Sequence, residues 1–282
     1  MPDARRLIVN ADDFGLSAGV NRGVLEAHET GVVSSVSVLV NAPGWTDAAQ
    51  RLRDLSSPSF PELGVGLHLN LTTGRPVSCG GSLCDARTGQ LHPFGTFVAR
   101  ALAGRIAPRD VAIECTAQLS RLRDAGLVVT HVDSHRHVHA LPGVWGPVVE
   151  TARREGIPVV RVPLEPWGLN PLNWRASLKK TVLHLAWRVA SRGGIPLRRA
   201  DHFVGISLQG GRGFLRRLLA AIDHLQPGTT ELMVHPGYPD GDLAGWDDYR
   251  APRAQELAAL IRPEVRERFQ RGRFRLTHFG AL

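Results

Sequence analysis

Cysteine is scarce in this 282-residue chain, which carries three, at positions 79, 84 and 115. The number is odd, and no two of them form the Cys-x-x-Cys spacing that is typical of thiolate metal sites and redox motifs. Small secreted domains that depend on disulfides are much richer in cysteine. The composition therefore argues against a disulfide scaffold and a thiolate zinc site, and it favours a reducing compartment.

Long hydrophobic runs are also missing. The first residues, MPDARRLIVNADD, lack the apolar core of about 7–15 residues that a secretory signal peptide carries. No window approaches the roughly 20 apolar residues that a membrane-spanning helix needs. Internal repeats and low-complexity tracts are absent from the sequence as well. We therefore expect one soluble, cytoplasmic domain over residues 1–282.

Negative charge is in deficit, because 34 lysines and arginines outnumber 26 acidic residues and give a formal charge of +8. Such a surplus suggests contact with nucleic acid, a membrane surface or an acidic substrate. A basic binding module is therefore the non-enzymatic alternative. However, no nucleic-acid motif or set of stacking aromatic residues is present, and we expect no nucleic-acid partner. The arginine pairs lie on several predicted helices, as on a solvated surface: 121 and 123, 153 and 154, 198 and 199, 216 and 217.

Short apolar runs rich in β-branched residues alternate with helix-like segments along the whole chain. Examples of predicted strands are LIVNA (7–11), VVSSVSVLV (32–40) and LGVGLHLNLT (63–72). The Gly- and Pro-rich stretch 73–95 predicts a surface loop. Strands that alternate with helices are typical of a parallel α/β sheet. Seven or eight such units without a linker favour a single, closed or nearly closed (β/α) barrel.

Ionisable side chains lie late in, or directly after, five of the predicted strands. Because (β/α) barrels carry their active sites at the C-terminal ends of the strands, these side chains are candidates for one site. An Asp with two His ligands is a typical catalytic metal set. A single such histidine is more often structural, and the Asp pair could instead cap the next helix, although Ser17 already supplies a cap. The candidates are Asp12 and Asp13, His68 with Asn70, the segment 130–139, His235 and His278.

The segment THVDSHRHVH (130–139) is the densest cluster of ionisable residues. In an extended strand, alternate residues share one face, which would align His131, Asp133, His135, His137 and His139. Alternate strand residues are about 6–7 Å apart, whereas zinc–nitrogen bonds are about 2.0–2.1 Å. One or at most two members can therefore bind a single ion, and the others would orient ligands or contact substrate. A histidine-rich surface patch is the alternative.

Four blocks resemble the YdjC-like carbohydrate deacetylases, in the same order: VNADDFGLS (9–17), GLHLNLT (66–72), THVDSHRHVH (130–139) and HPG (235–237). The similarity covers essentially the whole chain. It implies an α/β fold with a single, often irregular (β/α) barrel related to the NodB-type polysaccharide deacetylases. The implied activity is metal-dependent hydrolysis of the N-acetyl group of an amino sugar.

The resemblance also implies roles for individual residues. Asp13, His68 and His135 would bind one divalent metal ion, and Asp12 would accept a proton from the attacking water. His235 would protonate the departing amine. The family resemblance implies magnesium, whereas two imidazoles and one carboxylate suit zinc better. The residues expected to orient these groups or to contact substrate are His137, His139, Asn70, Asp133 and Arg161.

Two further segments, RVPLEPWG (161–168) and DHFVGISL (201–208), resemble the hopanoid-biosynthesis-associated branch of this family. That resemblance implies N-acetylglucosaminyl hopanoid, a sugar on a triterpenoid lipid, as the substrate. The enzymatic alternatives are deacetylation of soluble chito-oligosaccharides and metal-dependent phosphoester hydrolysis. For the phosphoesterase, the sequence offers one clear ligand set and no bridging acid for a second metal ion.

An insertion near 166–200 carries a predicted basic amphipathic helix at 172–192. Such a helix can lie in a lipid interface, which predicts a peripheral contact with the inner membrane surface. The alternative is an ordinary helix that packs its apolar stripe on the barrel. The apolar residues are Leu172, Leu178, Val182, Leu185 and Val189, and the cationic ones are Arg175, Lys179, Lys180, Arg188 and Arg192.

Overall fold

The computed structural model describes residues 5–30, 32–55, 62–167, 173–193, 197–210 and 213–282. Within these ranges the chain forms one eight-stranded sheet in which all strand pairs are parallel. The strands are β1 (Arg5–Phe14), β2 (Ser35–Val38), β3 (Gly64–Leu69), β4 (Val129–Ser134), β5 (Val159–Val160), β6 (His202–Val204), β7 (Gly228–Val234) and β8 (Phe274–Leu276).

At least one helix lies between each pair of consecutive strands, which confirms the predicted α/β class. Sequence patterns predict most of these helices but not α3 or α9, and α3 begins inside the stretch that predicted a loop. The helices in the described ranges are α1 (Ala18–Glu29), α2 (Trp45–Leu55), α3 (Phe94–Leu102), α4 (Pro108–Asp124), α5 (Trp145–Arg154), α6 (Trp174–Ala190), α7 (Phe214–Asp223), α8 (Ala251–Leu260) and α9 (Pro263–Arg271).

Local chemistry accounts for the first βα unit. Strand β1 is buried from Leu7 to Phe14, as expected for a central parallel strand that is covered on both faces. Helix α1 then begins after Ser17, whose hydroxyl accepts a hydrogen bond from the Val20 amide at 3.2 Å. This bond satisfies one of the free amides at the helix start. The helix ends at Glu29, and Thr30 forms its C-cap.

The sheet curls into an irregular half-barrel, and its end strands β5 and β6 do not pair with each other within the described ranges. Seven strands lie side by side in the order β5-β4-β3-β2-β1-β7-β6. The eighth strand, β8, is not part of this order and pairs with β1. Arg161, directly after β5, contacts Asp12 on β1, Asp133 on β4 and Glu231 on β7, so one side chain spans the enclosed interior. Among the described residues, the seam beside β5 is bridged by a single isolated pairing, between Val159 and Arg198.

The position of β8 corrects one sequence-based expectation. Residues Phe274–Leu276 pair with Arg5–Leu7, at the beginning of β1 rather than at its end. His278 therefore lies at the N-terminal edge of the sheet, where it is 3.2 Å from the Glu62 carboxylate. The prediction that His278 lies close to the other strand-end residues is wrong, because β8 pairs with the first residues of β1 and not with its last ones.

Helix α6 turns its apolar stripe outward. Leu178, Val182 and Leu185 are 57%, 50% and 59% exposed, whereas Trp187 on the opposite face is buried. Trp187 packs edge-on against Trp145 of α5, with ring centroids 4.5 Å apart. The alternative in which this stripe packs on the barrel is therefore wrong. Leu172 and the side chain of Arg175 lie outside the described residues.

The cationic residues of α6 do not share one outer face. Lys180 is buried and donates hydrogen bonds to the Ser207 hydroxyl and the Pro166 carbonyl at 3.0 and 3.1 Å. Lys179 points toward the C-terminal ends of the strands, where its ammonium donates to Gln209. Arg188 is exposed. The outer face is therefore less basic than the sequence pattern predicts. Within the described ranges, every helix is too short or too polar to cross a membrane.

Candidate active site

Asp12 and Asp13 are neighbours in sequence, yet both line one cavity at the end of β1. In a regular strand, two successive side chains point to opposite faces. Here Asp13 has a φ of 68°, and the pairing register between β1 and β2 shifts between Ala11 and Phe14. A non-glycine residue in this left-handed region costs of the order of 1–3 kcal/mol, and such strain concentrates at functional sites. The local bend places both carboxylates at the same site.

Asp13, His68 and His135 bring three potential metal-ligand atoms together. Asp13 Oδ1 lies 3.2 Å from His68 Nε2 and 2.9 Å from His135 Nδ1. All three side chains are buried, and their donor atoms lie within 4.8 Å of one another. Donor atoms around a tetrahedral zinc ion with bonds of 2.0–2.1 Å are about 3.3 Å apart. These residues therefore fit one divalent cation.

Asp133 orients the first of these imidazoles. His68 Nδ1 donates a hydrogen bond to Asp133 Oδ1 at 2.7 Å, which leaves Nε2 facing Asp13. A carboxylate behind a metal-binding histidine fixes the tautomer in this way. Burial lowers the pKa of His68, but the charges of Asp133 and Asp12 outweigh burial and raise that pKa to about 10. In the metal-free protein His68 is therefore protonated on both nitrogens. A cation that binds Nε2 would displace the proton there.

Arg253 holds the other oxygen of Asp13. Its Nη2 donates to Asp13 Oδ2 at 2.5 Å and also to the carboxylate of Asp247. Burial alone would raise the pKa of Asp13, but the charges of Arg253 and His135 lower it well below its usual value. Asp13 is therefore ionised and held with Oδ1 toward the two imidazoles.

Asp12 is fixed by a buried guanidinium. Arg161, 1% exposed, donates to both Asp12 oxygens at 2.6 and 2.7 Å, and Asn10 donates to Oδ1 at 2.7 Å. The same guanidinium donates to Glu231 at 2.6 Å. Asp12, His68 and Asp133 form a second geometric cluster of donor atoms. A cation there would face the Arg161 charge, so Asp13, His68 and His135 are the better candidates for holding one.

The histidine-rich segment is not one continuous strand. Strand β4 ends at Ser134, and His135–Ala140 form a tight turn in which Arg136 and His137 have φ values of 59° and 58°. The prediction of a single row on one strand face is therefore wrong for the second half of the segment. Only His131 and Asp133 share a strand face. The two left-handed residues follow His135, so they turn the chain away after the residue that contacts Asp13.

The other histidines of the segment have separate environments. His131 lies in the barrel interior, 3.0 Å from the Ser37 hydroxyl and against the Phe279 ring. His139 contacts the Ser134 hydroxyl at 2.6 Å and the Arg161 carbonyl at 3.0 Å, so it helps to position the Arg161 backbone. His137 lines the site cavity, and its Nδ1 has no hydrogen-bond partner among the residues described.

His235 forms the opposite wall of the cavity. Its backbone amide donates to Glu256 at 2.6 Å, and its Nε2 lies 3.3 Å from Gln209 Nε2. Burial lowers the pKa of His235, although the Glu256 charge acts in the opposite direction. Glu256 also accepts a hydrogen bond from the Tyr249 hydroxyl at 2.5 Å. His235 thus faces the candidate metal ligands from a separate strand end.

The structure gathers six of the predicted residues around a cavity of about 170 Å³: Asp12, Asp13, His68, His135, His137 and His235. Asp133 and Arg161 lie behind them. Asn70 instead bonds with Gln118 and the Thr72 and Thr73 amides, so it shapes the segment after β3. The cavity-lining residues that the sequence motifs do not reveal are Lys179, Gln209, Asp247, Tyr249 and Arg253.

Comparisons with known proteins identify the family of this chain. The profile of the family described as YdjC-like protein matches residues 6–271. A carbohydrate deacetylase of Geobacillus stearothermophilus is 36% identical over 271 residues, covering 95% of this chain and 94% of that protein. A human carbohydrate deacetylase is 35% identical, with coverages of 93% and 86%. A chitooligosaccharide deacetylase of Yersinia pestis is 34% identical, with coverages of 97%.

One solved structure extends the comparison to the fold. It is a candidate cellobiose-phosphate cleavage protein from Enterococcus faecalis V583, with a TM-score of 0.77 and 24% sequence identity. The match covers 99% of this chain and 98% of that one. At this identity the likeness establishes a shared fold over the full length.

Proposed function

Because the chain belongs to the YdjC-like protein family, we propose that its carbohydrate deacetylase activity is metal-dependent hydrolysis of the N-acetyl group of an amino sugar. The observation that carries this proposal is the convergence of Asp13, His68 and His135 beside Asp12. Two imidazoles and one carboxylate, with open positions remaining, are a typical catalytic set.

Asp13, His68 and His135 would hold one divalent cation. When bound, such an ion polarises a carbonyl and lowers the pKa of water at the site. The two imidazoles suit zinc or another transition metal, while the resemblance implies magnesium. Asp133 and Arg253 keep the imidazole of His68 and the carboxylate of Asp13 aimed at one point.

Asp12 and His235 would move the protons of the reaction. Asp12 accepts a proton from the water whose oxygen attacks the acetamide carbonyl, and Arg161 fixes the orientation of that carboxylate. The bond between carbonyl carbon and nitrogen then breaks. His235 gives a proton to the departing nitrogen, so the products are acetate and the free amine of the sugar. Burial lowers the pKa of His235, so it must take up that proton during the cycle.

For the substrate, the proposal extends to N-acetylglucosaminyl hopanoid, a glycolipid. Its support is the resemblance of the segments 161–168 and 201–208 to the hopanoid-associated branch, together with the outward apolar stripe of α6. A lipid-linked substrate would bring α6 to a membrane surface, with Leu185 and Val189 toward the lipid. Anionic liposomes that fail to bind the protein, or that bind Leu185→Gln equally well, would count against this contact.

The test of the activity is mass-spectrometric turnover of two substrates, an N-acetylglucosaminyl hopanoid and an N-acetyl chito-oligosaccharide, with metal content measured in the same preparation. Loss of one acetyl group from the lipid supports the full proposal. Loss from the oligosaccharide alone keeps the deacetylase and removes the hopanoid. If neither substrate reacts with metal bound and the fold intact, the deacetylase proposal fails, and release of phosphate from an aryl phosphate would indicate the phosphoesterase.

A further inference from the structure

An apolar groove of about 460 Å³ lies between α3 and α6, beside the candidate active site. Phe94 and Val98 of α3 form one wall, and Trp174, Leu178 and Val182 of α6 form the other. The volume falls within the range of about 300–1,000 Å³ that small-molecule sites occupy. We call this feature the α3–α6 groove.

Large apolar side chains in this groove are open to solvent. Trp174, Leu178 and Val182 are 67%, 57% and 50% exposed, and Phe94 is 38% exposed. Contiguous exposed apolar surface on a soluble domain commonly marks a binding site. A ligand that covers these exposed side chains would gain hydrophobic free energy, because it would remove their apolar surface from water.

The groove is joined to the active site at one end. Arg136, His137 and Lys179 line both the α3–α6 groove and the metal-site cavity. They are the ionisable groups among the groove-lining residues, so the charge in the groove comes from the residues that it shares with the metal-site cavity. The combined space therefore has a polar compartment with catalytic groups and an apolar compartment without them.

From this arrangement we infer that the α3–α6 groove binds an apolar aglycone of the substrate while the amino sugar lies in the metal-site cavity. The inference rests on the proposed function and adds to it a separate subsite with its own residues. Its occupant is the apolar group directly bonded to the sugar, because the three shared lining residues place the groove directly beside the metal-site cavity.

The geometry distinguishes this occupant from a flat lipid surface. The exposed stripe of α6 continues past the groove to Leu185 and Val189, which are 59% and 47% exposed but do not line it. A membrane would contact the whole stripe, whereas a bound aglycone would contact only the half that ends at Val182. Leu185 and Val189 are therefore control positions on the same helix: a membrane contact would involve them, whereas an aglycone in the groove would not.

The experiment uses the full-length, metal-loaded protein and a series of alkyl N-acetyl-β-glucosaminides, from methyl to octyl, below their micelle concentrations. Deacetylation and equilibrium binding are both measured. Each buried methylene contributes about 0.8 kcal/mol, so kcat/KM and affinity should rise about two- to fourfold per added methylene. Leu178→Gln or Val182→Gln should lower kcat/KM for the octyl glycoside about tenfold and leave the methyl glycoside unchanged.

Leu185→Gln and Val189→Gln are the matched controls, since they make the same change on the same exposed stripe outside the groove. They should leave the octyl glycoside unaffected, and thermal unfolding verifies that all four variants fold. Turnover that is independent of chain length overturns the inference and keeps the deacetylase. Equal losses in all four variants also overturn it, because residues outside the groove would then matter as much as those that line it. Affinity that rises with chain length and falls in Leu178→Gln, without turnover, supports the groove and removes the proposed function.

Discussion

The Nδ1 atom of His68 donates a 2.7 Å hydrogen bond to Asp133, so that Nε2 of the same ring faces Asp13. Asp133 in turn is held by Ser37 and Arg161, each at 2.7 Å. The imidazole that would bind the proposed metal ion is therefore oriented by a carboxylate that is itself fixed. Neither residue of the pair can move without disturbing the other.

Asp133→Asn should weaken metal binding. The amide cannot replace the charged acceptor of His68 Nδ1, and loss of such a partner typically costs 10–100-fold in metal affinity. Ser37→Ala is the control, because it removes one bond to Asp133 and leaves His68 in contact with the carboxylate. Competitive metal titration of both variants measures the effect. Equal affinities for Asp133→Asn and the unmodified protein would contradict the assignment.

His235→Asn should lower kcat with little change in metal content. General acids contribute typically 10²–10⁴-fold, and the loss should be greatest for a poor leaving group. The diagnostic comparison is therefore a sugar acetamide against an acetanilide, whose weakly basic amine needs less help from an acid. A rate loss of the same size on both substrates would argue against proton donation by His235.

Glu231→Gln should change how stability depends on pH. Burial raises the pKa of Glu231 to about 7, which the Arg161 charge offsets only in part. The folded protein therefore keeps a proton that the unfolded chain releases above about pH 4.3. Stability from this group is complete below that pH and is lost as the pH rises to about 7.

The expected size of this effect is about 2–3 kcal/mol, at 1.36 kcal/mol per pKa unit. Denaturant unfolding of both proteins at pH 5 and pH 8, under the same metal conditions, measures it. The free energy of unfolding of Glu231→Gln minus that of the unmodified protein should therefore be larger at pH 8 than at pH 5, by this amount. A difference between the two proteins that does not vary with pH would show that Glu231 is ionised throughout.

Gly66→Ala should destabilise the barrel beneath the site. A β-carbon at Gly66 would lie 2.2–2.4 Å from the ring atoms of His131, which is fully buried against Ser37 and Phe279. Overpacking of this kind typically costs about 1–3 kcal/mol. Gly146→Ala is the control, because nothing lies within 4 Å of its added carbon and alanine favours a helix. Thermal unfolding should separate the two variants, and similar midpoints would show that His131 can move.

The sequence predicts the α/β class and most of the site because its signals are local. Asp12 and Asp13 lie near the end of one apolar strand, His68 lies near the end of another, and His235 directly follows a third, so parallel topology brings them to the same edge of the sheet. The sequence does not reveal that Arg136 and His137 adopt positive φ, since neither is a glycine. That is why the strand pattern of the histidine-rich segment does not extend past Ser134.

Other features depend on long-range packing, for which the sequence carries no short-range signal. Arg253 reaches Asp13 from helix α8, 240 positions away along the chain. Helix α6 has an apolar stripe whose periodicity indicates a helix but not which face is buried, and the structure buries Lys180 on the inner side. Such contacts follow from the arrangement of whole elements rather than from motifs.

The most direct test of the account compares metal content and deacetylation in Asp12→Asn and His68→Ala, with the unmodified protein as reference. Asp12→Asn should keep the metal and lose about 10²–10⁴-fold in kcat, because it removes the proton acceptor and leaves Asp13, His68 and His135 in place. His68→Ala should lose both metal and turnover. Full activity in both variants would contradict the assignment of this site.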